Sequence, residues 1–392
     1  MIIPPPWSDI PPEHLDPLPP DARADIVIIG AGVAGLSAGY MLACENLSVM
    51  VLEAAAPGGG MTGKSTAHVS NAIDDGWRRL VEVVGPSQAS CAAQAYSRGI
   101  AMIAETCMRE RIACDFSRVD GYLVGTEAQA ETLAEELRAA KTAGLVDAEW
   151  AAPPYGPASH VAVRFPGQAR LHPVKYVNGL VRAIRTRGGK VYRAFANRID
   201  NSTAPIGVAT DAGFVTADVA VVLAKNVFED FPGRTLPQRT YKSYVIAVEV
   251  LKSATSDAIS WDLEDPYHYT RLQPGAGSAD LLIIGGEDHP ANESRDPARA
   301  FARLESWARL QFPFARDVVS RWTGEIKQTA DNLGFMGRAA GGTDIYLIDG
   351  DGGLGFNHAT IGSQIICDQI MGRNNPWTDI FRPDRRVDGR RA

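Results

Sequence analysis

The sequence predicts an α/β protein in which a helix-flanked parallel sheet is joined to a second, largely antiparallel sheet. Three observations predict it. Two short apolar runs, Ile26–Ile29 and Ser48–Leu52, enclose a glycine turn and a helical segment, the pattern of buried parallel strands with a crossover. Residues 240–290 instead carry YKSYVIAVEV, YHYTRLQ and DLLIIGG, rich in β-branched and aromatic residues as antiparallel strands are. A last apolar run, DIYLIDG, leads into a second glycine loop and a closing helix.

In chain order, residues 1–20 hold Pro4–Pro6, Pro11, Pro12, Pro17, Pro19 and Pro20, and can start neither a helix nor a central strand. They read as an extended surface arm or as disorder. Val33 to Cys44 reads as the helix between the first two strands. Residues 86–112, 126–143 and 174–187 read as further helices, the second (EAQAETLAEELRAAKTAGL) from its dense run of helix formers. Strands are expected around Lys190–Ala196 and Asp218–Ala224, a helix over 297–312, and the final helix over His358–Met371. No internal repeat is present.

Lys+Arg (39) against Asp+Glu (46) leave a net charge of −7, which speaks against a nucleic-acid-binding surface. No apolar run approaches the roughly 20 residues of a membrane helix. The start lacks the basic and apolar regions of a secretory signal. Five cysteines, an odd number without a CxxC, argue against a disulfide framework, a zinc ribbon or a dithiol redox centre. A reducing cytoplasm is the expected compartment. Paired-histidine and HxxE spacings are absent, so no metal is expected.

Gly30-Ala31-Gly32-Val33-Ala34-Gly35 is a G-x-G-x-x-G that follows a strand, opens a helix and precedes Glu53, 18 residues after Gly35, at the end of the next strand. In that context it is a Rossmann-type dinucleotide fingerprint. Gly30 permits the turn, Gly32 lets a pyrophosphate approach the backbone, and Gly35 lets helix and strand pack closely. The helix start at Val33 and Ala34 offers free N–H groups to phosphate. Glu53, with Ala54 after it, would meet the adenosine ribose.

Three features favour FAD over NAD. The unit stands near the N-terminus without a second doubly wound domain. A second glycine/hydroxyl loop, PGGGMTGKSTAH, follows Glu53. The loop Gly350–Phe356 opens the closing helix and aims N–H donors at the negative charge of a reduced flavin's N1/C2=O edge. With one dinucleotide fingerprint and no CxxC, electrons are expected from an organic substrate.

DIVIIGAGVAGLSAGYMLACENLSVMVLEA, GGGMTGKSTAHVSNAIDD, RFPGQARLHPVKYVNGLVRAI, ADVAVVLA, DPYHYTRLQP, DLLIIGGEDH, RWTGEIKQTADNLGFMGR and GDGGLGFNHATIGS run in the order seen in the D-amino-acid-oxidase-like FAD oxidoreductases. From about residue 24 to 380 the chain resembles this superfamily, which includes glycine, sarcosine and γ-glutamylputrescine oxidases. It is most similar to the branch often fused to a Rieske domain, whose paired Cys-x-His motifs are not in this sequence. The resemblance implies an FAD-binding domain from 21–98, 158–240 and 320–380. A discontinuous α+β substrate domain from 99–157 and 241–319 would roof the flavin, with 1–20 an arm and 381–392 a tail. It further implies cofactor contacts from Gly30, Gly32, Gly35 and Glu53, and from Thr62, Gly63, Lys64, Ser65, Thr66 and Ala67. Ile199 and Ala224 would contact the cofactor from the middle of the chain, and Gly353, Leu354, Gly355 and Phe356 would meet the pyrimidine edge.

Three departures stand out. Ile326 occupies the place of an arginine that holds the substrate carboxylate in many relatives. Gly334 replaces a usual proline, and Ala224-Lys225-Asn226 replaces an Ala-Thr/Ser-Gly turn. The catalytic candidates are His68, Tyr267, Tyr269 and Arg271. His68 would lie near the flavin as a polar contact, a covalent attachment point or a structural residue. Strand alternation puts Tyr267, Tyr269 and Arg271 on one face and His268 on the other. Facing the flavin, Arg271 could replace the missing clamp; facing helices, it would sit in a salt bridge. Tyr241 and Tyr244 are weaker candidates. Glu287, Asp288 and His289 form a polar wall or a solvated turn, and His358 caps the helix or faces substrate.

The implied chemistry is oxidation of the C–H next to an amine by hydride transfer to flavin N5, followed by imine hydrolysis. The acceptor would be O2, a quinone or a protein. The lysine that many relatives hold near N5 has no counterpart in the apolar Leu281–Ile284, which leaves a dehydrogenase open. Two other readings stand beside it: a flavin-binding subunit with little turnover, and a hydroxy-acid dehydrogenase of the same superfamily.

Overall fold

The computed structural model describes residues 2–157, 159–202, 204–222, 237–275, 277–340 and 344–385. Two nine-stranded sheets face one cavity. In the first, Lys190–Arg193, Val49–Glu53, Ala22–Ile29, Gly213–Val222 and Ile345–Asp349 run parallel in that spatial order. Within them Val49–Leu52 and Ile26–Ile29 read as unbroken apolar runs because both faces are covered. The helices Val33–Cys44, Pro173–Thr186 and Gly355–Ile370 supply part of one cover. Ala196–Asp200 and Ile206–Thr210 extend the sheet antiparallel beyond Gly213–Val222.

The second sheet runs Val318–Thr329, Gln238–Leu251, Ala279–Pro290, His268–Gln273, Ala258–Asp262, Ser117–Thr126, His160–Arg170 and His68–Val69. All of these neighbours are antiparallel except Ala258–Asp262 with Ser117–Thr126. Its two faces separate by residue parity. Tyr244, Ile246, Val248, Val250, Leu282 and Ile284 pack against Phe301, Leu304 and Ala308 of the helix Pro297–Gln311. Tyr241, Ser243 and Val245 on the same strand turn to the cavity.

Several elements differ from expectation. Ser117–Thr126, His160–Arg170 and Val318–Thr329 are long strands without a distinctive apolar run, and their pairing partners decide them. Two of these, His160–Arg170 and Val318–Thr329, fall largely in segments assigned by resemblance to the FAD-binding part. A helix at Gly76–Val84 precedes Pro86–Arg109. The final helix begins at Gly355 rather than His358.

The proline-rich arm is ordered and built into the fold. Asp16–Pro17 adds a parallel edge pair to Lys190–Arg193. Glu13 pairs with Arg182 at 2.6 Å, and Asn178 donates to the Pro11 carbonyl at 2.9 Å. Trp7 is buried against Val245, Ala247, Ile283 and Trp322. An arm with few internal partners is fixed here by one large aromatic anchor and a few polar clips.

Candidate active site

The cavity has a volume of about 980 Å³, at the upper end for small-molecule sites. On one side it is lined by the carboxyl ends of the parallel strands: Ile29, Leu52, Glu53, Leu347, Ile348 and Asp349. Ligands of open α/β sheets bind in this crevice. Gly30 turns with φ +104°, and a Cβ at Gly35 would lie 1.8 Å from the Gly30 carbonyl oxygen. The helix therefore starts hard against the strand, and Gly32, Val33 and Ala34 open onto the cavity. Glu53 accepts from Ala31 N–H at 2.7 Å, and Ala54 lines the cavity beside it. Val33 N–H donates to Thr62 Oγ1 at 3.0 Å, so the second loop closes on the helix start; with a carboxylate at the next strand end, the turn fits an adenine dinucleotide.

The second loop is gripped from beneath. Trp7 Nε1–H donates to the Gly63 carbonyl at 2.6 Å, Trp322 Nε1–H to Lys64 at 2.8 Å, and Arg271 Nε–H to Thr66. Thr62, Lys64, Ser65 and Thr66 then line the cavity. Gly63 and Ala67 do not line it. Gly63 lies over the Gly58 carbonyl, and Ala67 is fully buried with φ +55°.

Arg271 corrects the sequence reading. It lies on the expected face, but it is fully buried and does not line the cavity. Its guanidinium sits over the Trp7 ring and donates also to the Leu272 carbonyl and to Gln273 Oε1 at 2.9 Å. Burial, with Arg170 nearby, lowers its pKa to about 9. The Thr66 loop and Trp7 cover it, so it cannot reach a substrate carboxylate from this position. Ile199 is also displaced from expectation. Its strand has left the cavity by then, and Ala194, Phe195 and Ala196 line it instead. Ala224 lies outside the described residues.

Tyr267 and Tyr269 line the roof. Tyr267 O–H donates to Asp288 Oδ2 at 3.1 Å, and the Tyr269 and Ser243 hydroxyls are 3.2 Å apart. Burial and the Asp288 charge push both phenols up, so they remain proton-bearing donors. Burial pushes Asp288 up to about 6. His68 lines the cavity edge-on to Tyr269, their ring centroids 5.4 Å apart. Its Nε2 lies 3.3 Å from the Thr270 carbonyl, which requires N–H there, so Nδ1 accepts from Thr66 Oγ1 at 2.9 Å. Burial, with Arg271, lowers the imidazole to about 3 and keeps it neutral.

The closing glycine loop completes the site, with Gly353, Leu354, Gly355 and Phe356 all lining the cavity. Gly353 has φ +84°, and a Cβ there would lie 1.9 Å from Asp74 Oδ2. Asp74 opens onto the cavity, where it is exposed; desolvation, then the charges of Asp75, Asp288 and Asp351, push its carboxyl up. No motif marks Asp74, and only the tertiary approach of its loop to Gly353 reveals it. His358 also lines the cavity, its Nε2 3.1 Å from the Tyr96 hydroxyl, and Gly334 leaves room for its ring. Asn357 instead ties the Ser70 and Tyr96 carbonyls together. His268 points away and stacks on Trp307. With Asp262 and Glu264 it forms a group of metal-ligand type whose atoms lie within 4.8 Å of one another. Its Nδ1 already meets Asp262 Oδ2 at 3.0 Å.

The chain matches the family described as FAD dependent oxidoreductase over residues 25–369. It is 26% identical over 377 residues to the γ-glutamylputrescine oxidoreductase of Escherichia coli (strain K12), covering 91% of this chain and 86% of that one. It is 22% identical over 370 residues to YhfW of Bacillus subtilis (strain 168), named as a Rieske 2Fe-2S iron–sulfur protein, covering 93% and 72%. Among solved structures, glycine oxidase from Geobacillus kaustophilus superposes with a TM-score of 0.76 at 17% identity, covering 93% of this chain and all of that one. L-proline dehydrogenase from P. horikoshii gives 0.76 at 16%, covering 93% and 98%. The fold is thus shared with these structures, and this chain belongs to the FAD dependent oxidoreductase family.

Proposed function

We propose that this enzyme oxidises the C–H next to a substrate amine. The first sheet is read as its FAD-binding part and the second as its substrate part. Gly30, Gly32 and the helix start at Val33 would receive the pyrophosphate, Glu53 the ribose, and Thr62–Thr66 with Gly353–Phe356 the flavin end. FAD, when bound, supplies the hydride acceptor at N5. The roof residues hold the substrate: Tyr267 and Tyr269 offer phenolic donors, and Asp288 offers a carboxylate to an ammonium. Positioning and exclusion of water are their main work, because an amine lone pair assists hydride loss without a strong base. Asp288 can also take the ammonium proton that must leave before that lone pair is free.

The observation that carries this reading is the Tyr267–Asp288 pair on the cavity face of the roof. It is a site for a cationic nitrogen. The names of relatives that act on γ-glutamylputrescine and glycine support the same class. O2, a quinone or a protein would take the electrons, and the cytoplasm is the proposed compartment, in keeping with five free cysteines. Anaerobic mixing of the yellow protein with amines, N-methyl amino acids and hydroxy acids tests it. Loss of the oxidised flavin absorbance with amines is the expected result, and reduction by hydroxy acids alone would overturn it.

A further inference from the structure

We propose that Arg271 is a positioning residue of the cofactor site: a buried positive charge beneath the Thr62–Thr66 loop that favours the negatively charged reduced flavin over the neutral oxidised one. This rests on the reading of that loop as the flavin end and names the residue that tunes it.

The loop is tethered on its far side. Its Gly63, Lys64 and Thr66 carbonyls accept from Trp7, Trp322 and Arg271, none of which lines the cavity. The negative ends of three peptide dipoles are thus drawn away from the cavity, and in a trans peptide the positive N–H end points the opposite way. Two of the three donors are neutral indoles. Only Arg271 adds a full charge.

That charge is unmatched. Arg271 is fully buried, and what it touches is neutral: the Thr66 and Leu272 carbonyls, Gln273 Oε1 and the face of Trp7. Its Nη2 has no hydrogen-bond partner. The carboxylates behind it are engaged by other cations. Asp257 accepts from Arg170 at 2.7 Å, and Asp115 holds Lys175 at 2.9 Å. Three cations, Arg170, Lys175 and Arg271, therefore share two carboxylates, which leaves one positive charge over. A buried cation in that state is costly, and an apolar side chain would pack on Trp7 without the cost. Negative charge arriving in the adjacent cavity offsets it. The field reaches the cavity wall: His68, which lines it and bonds Thr66, is held neutral by burial and then by Arg271. The negative charge of a flavin ring comes with its reduction. Only an interaction that differs between two states shifts the equilibrium between them, so Arg271 acts on the potential and not on affinity alone.

The test uses the FAD-loaded protein and an anaerobic titration of its flavin against dyes of known potential. Arg271→Gln removes the charge and keeps an N–H for Thr66, whereas Arg271→Lys keeps the charge. We expect Arg271→Gln to lower the reduced-to-oxidised ratio at a fixed potential about tenfold, a shift of about 30 mV for a two-electron couple. Arg271→Lys should change that ratio less than about twofold. A weaker hold on FAD or a lower thermal midpoint with an unmoved potential makes Arg271 only a brace for the loop and overturns the proposal. An equal fall in both variants overturns it as well. If Arg271→Gln retains no FAD, Arg271→Lys decides: a native potential supports the charge, and a tenfold loss overturns it. If the potential shifts as expected while no amine reduces the flavin, the role of Arg271 stands and amine oxidation fails. If amines reduce the native protein and Arg271→Gln leaves the potential unmoved, amine oxidation stands and the role of Arg271 fails.

Discussion

At the scale of single residues, the site is organised by what each polar atom already touches. Both His68 nitrogens are spent within the protein, one as donor to Thr270 and one as acceptor from Thr66. Covalent attachment through this ring would require breaking the Thr66 contact, so we expect FAD to be released intact by acid precipitation. Flavin colour in the supernatant, with none in the pellet, checks this. Arg271 shows how alternation can be right about a face and wrong about a role. It does share the face of Tyr267 and Tyr269, but a neighbouring loop lies over its end of the strand. Its Nε–H goes to the Thr66 carbonyl and its Nη1 to the Leu272 carbonyl and Gln273, while Nη2 is buried without a partner.

At the scale of elements, the least regular segment does essential positioning. The arm delivers Trp7 beneath the Thr62–Thr66 loop, where its indole bonds Gly63 and packs edge-on to Trp322 at 5.6 Å. Trp7→Ala leaves a large buried cavity and frees one carbonyl of the loop. The expected cost is about 3–5 kcal/mol in urea unfolding, together with weaker FAD retention on dialysis. A purely peripheral arm would change neither. The roof sheet contributes through register: pairing His268 with Gly286 and Tyr244 with the same residue brings Asp288 alongside Tyr267 and Ser243.

At the scale of the whole molecule, opposing buried groups set the pH dependence of stability. His68, His172 and His358 are lowered to about 3, 4 and 3 mainly by burial. The unfolded chain therefore binds more protons below about pH 6.5, and their share of stability rises with pH up to that point. Asp74, Asp288 and Asp351 are raised from 3.8 to about 8, 6 and 6. Their share is full below the unfolded value and is lost as pH rises through the folded ones. The two sets roughly offset between about pH 4 and 6. Above about 6.5 the exposed Asp74 carboxyl is screened by water and contributes little, so the thermal midpoint should level off between pH 6.5 and 8 in a melting series.

What the sequence by itself determined was local and periodic. The strand–turn–helix unit with Glu53, the closing glycine loop, the major helices and the two-faced roof strands follow from glycine spacing and from periods of 3.6 and 2. Tertiary structure alone decided the rest. Asp74 meets Gly353, Trp7 meets Gly63, and the Thr66 loop covers Arg271, each across a separation of 56 to several hundred residues. Such contacts depend on how two sheets close over one cavity, and no local pattern encodes that closure, because each partner's own neighbourhood is compatible with exposure or burial.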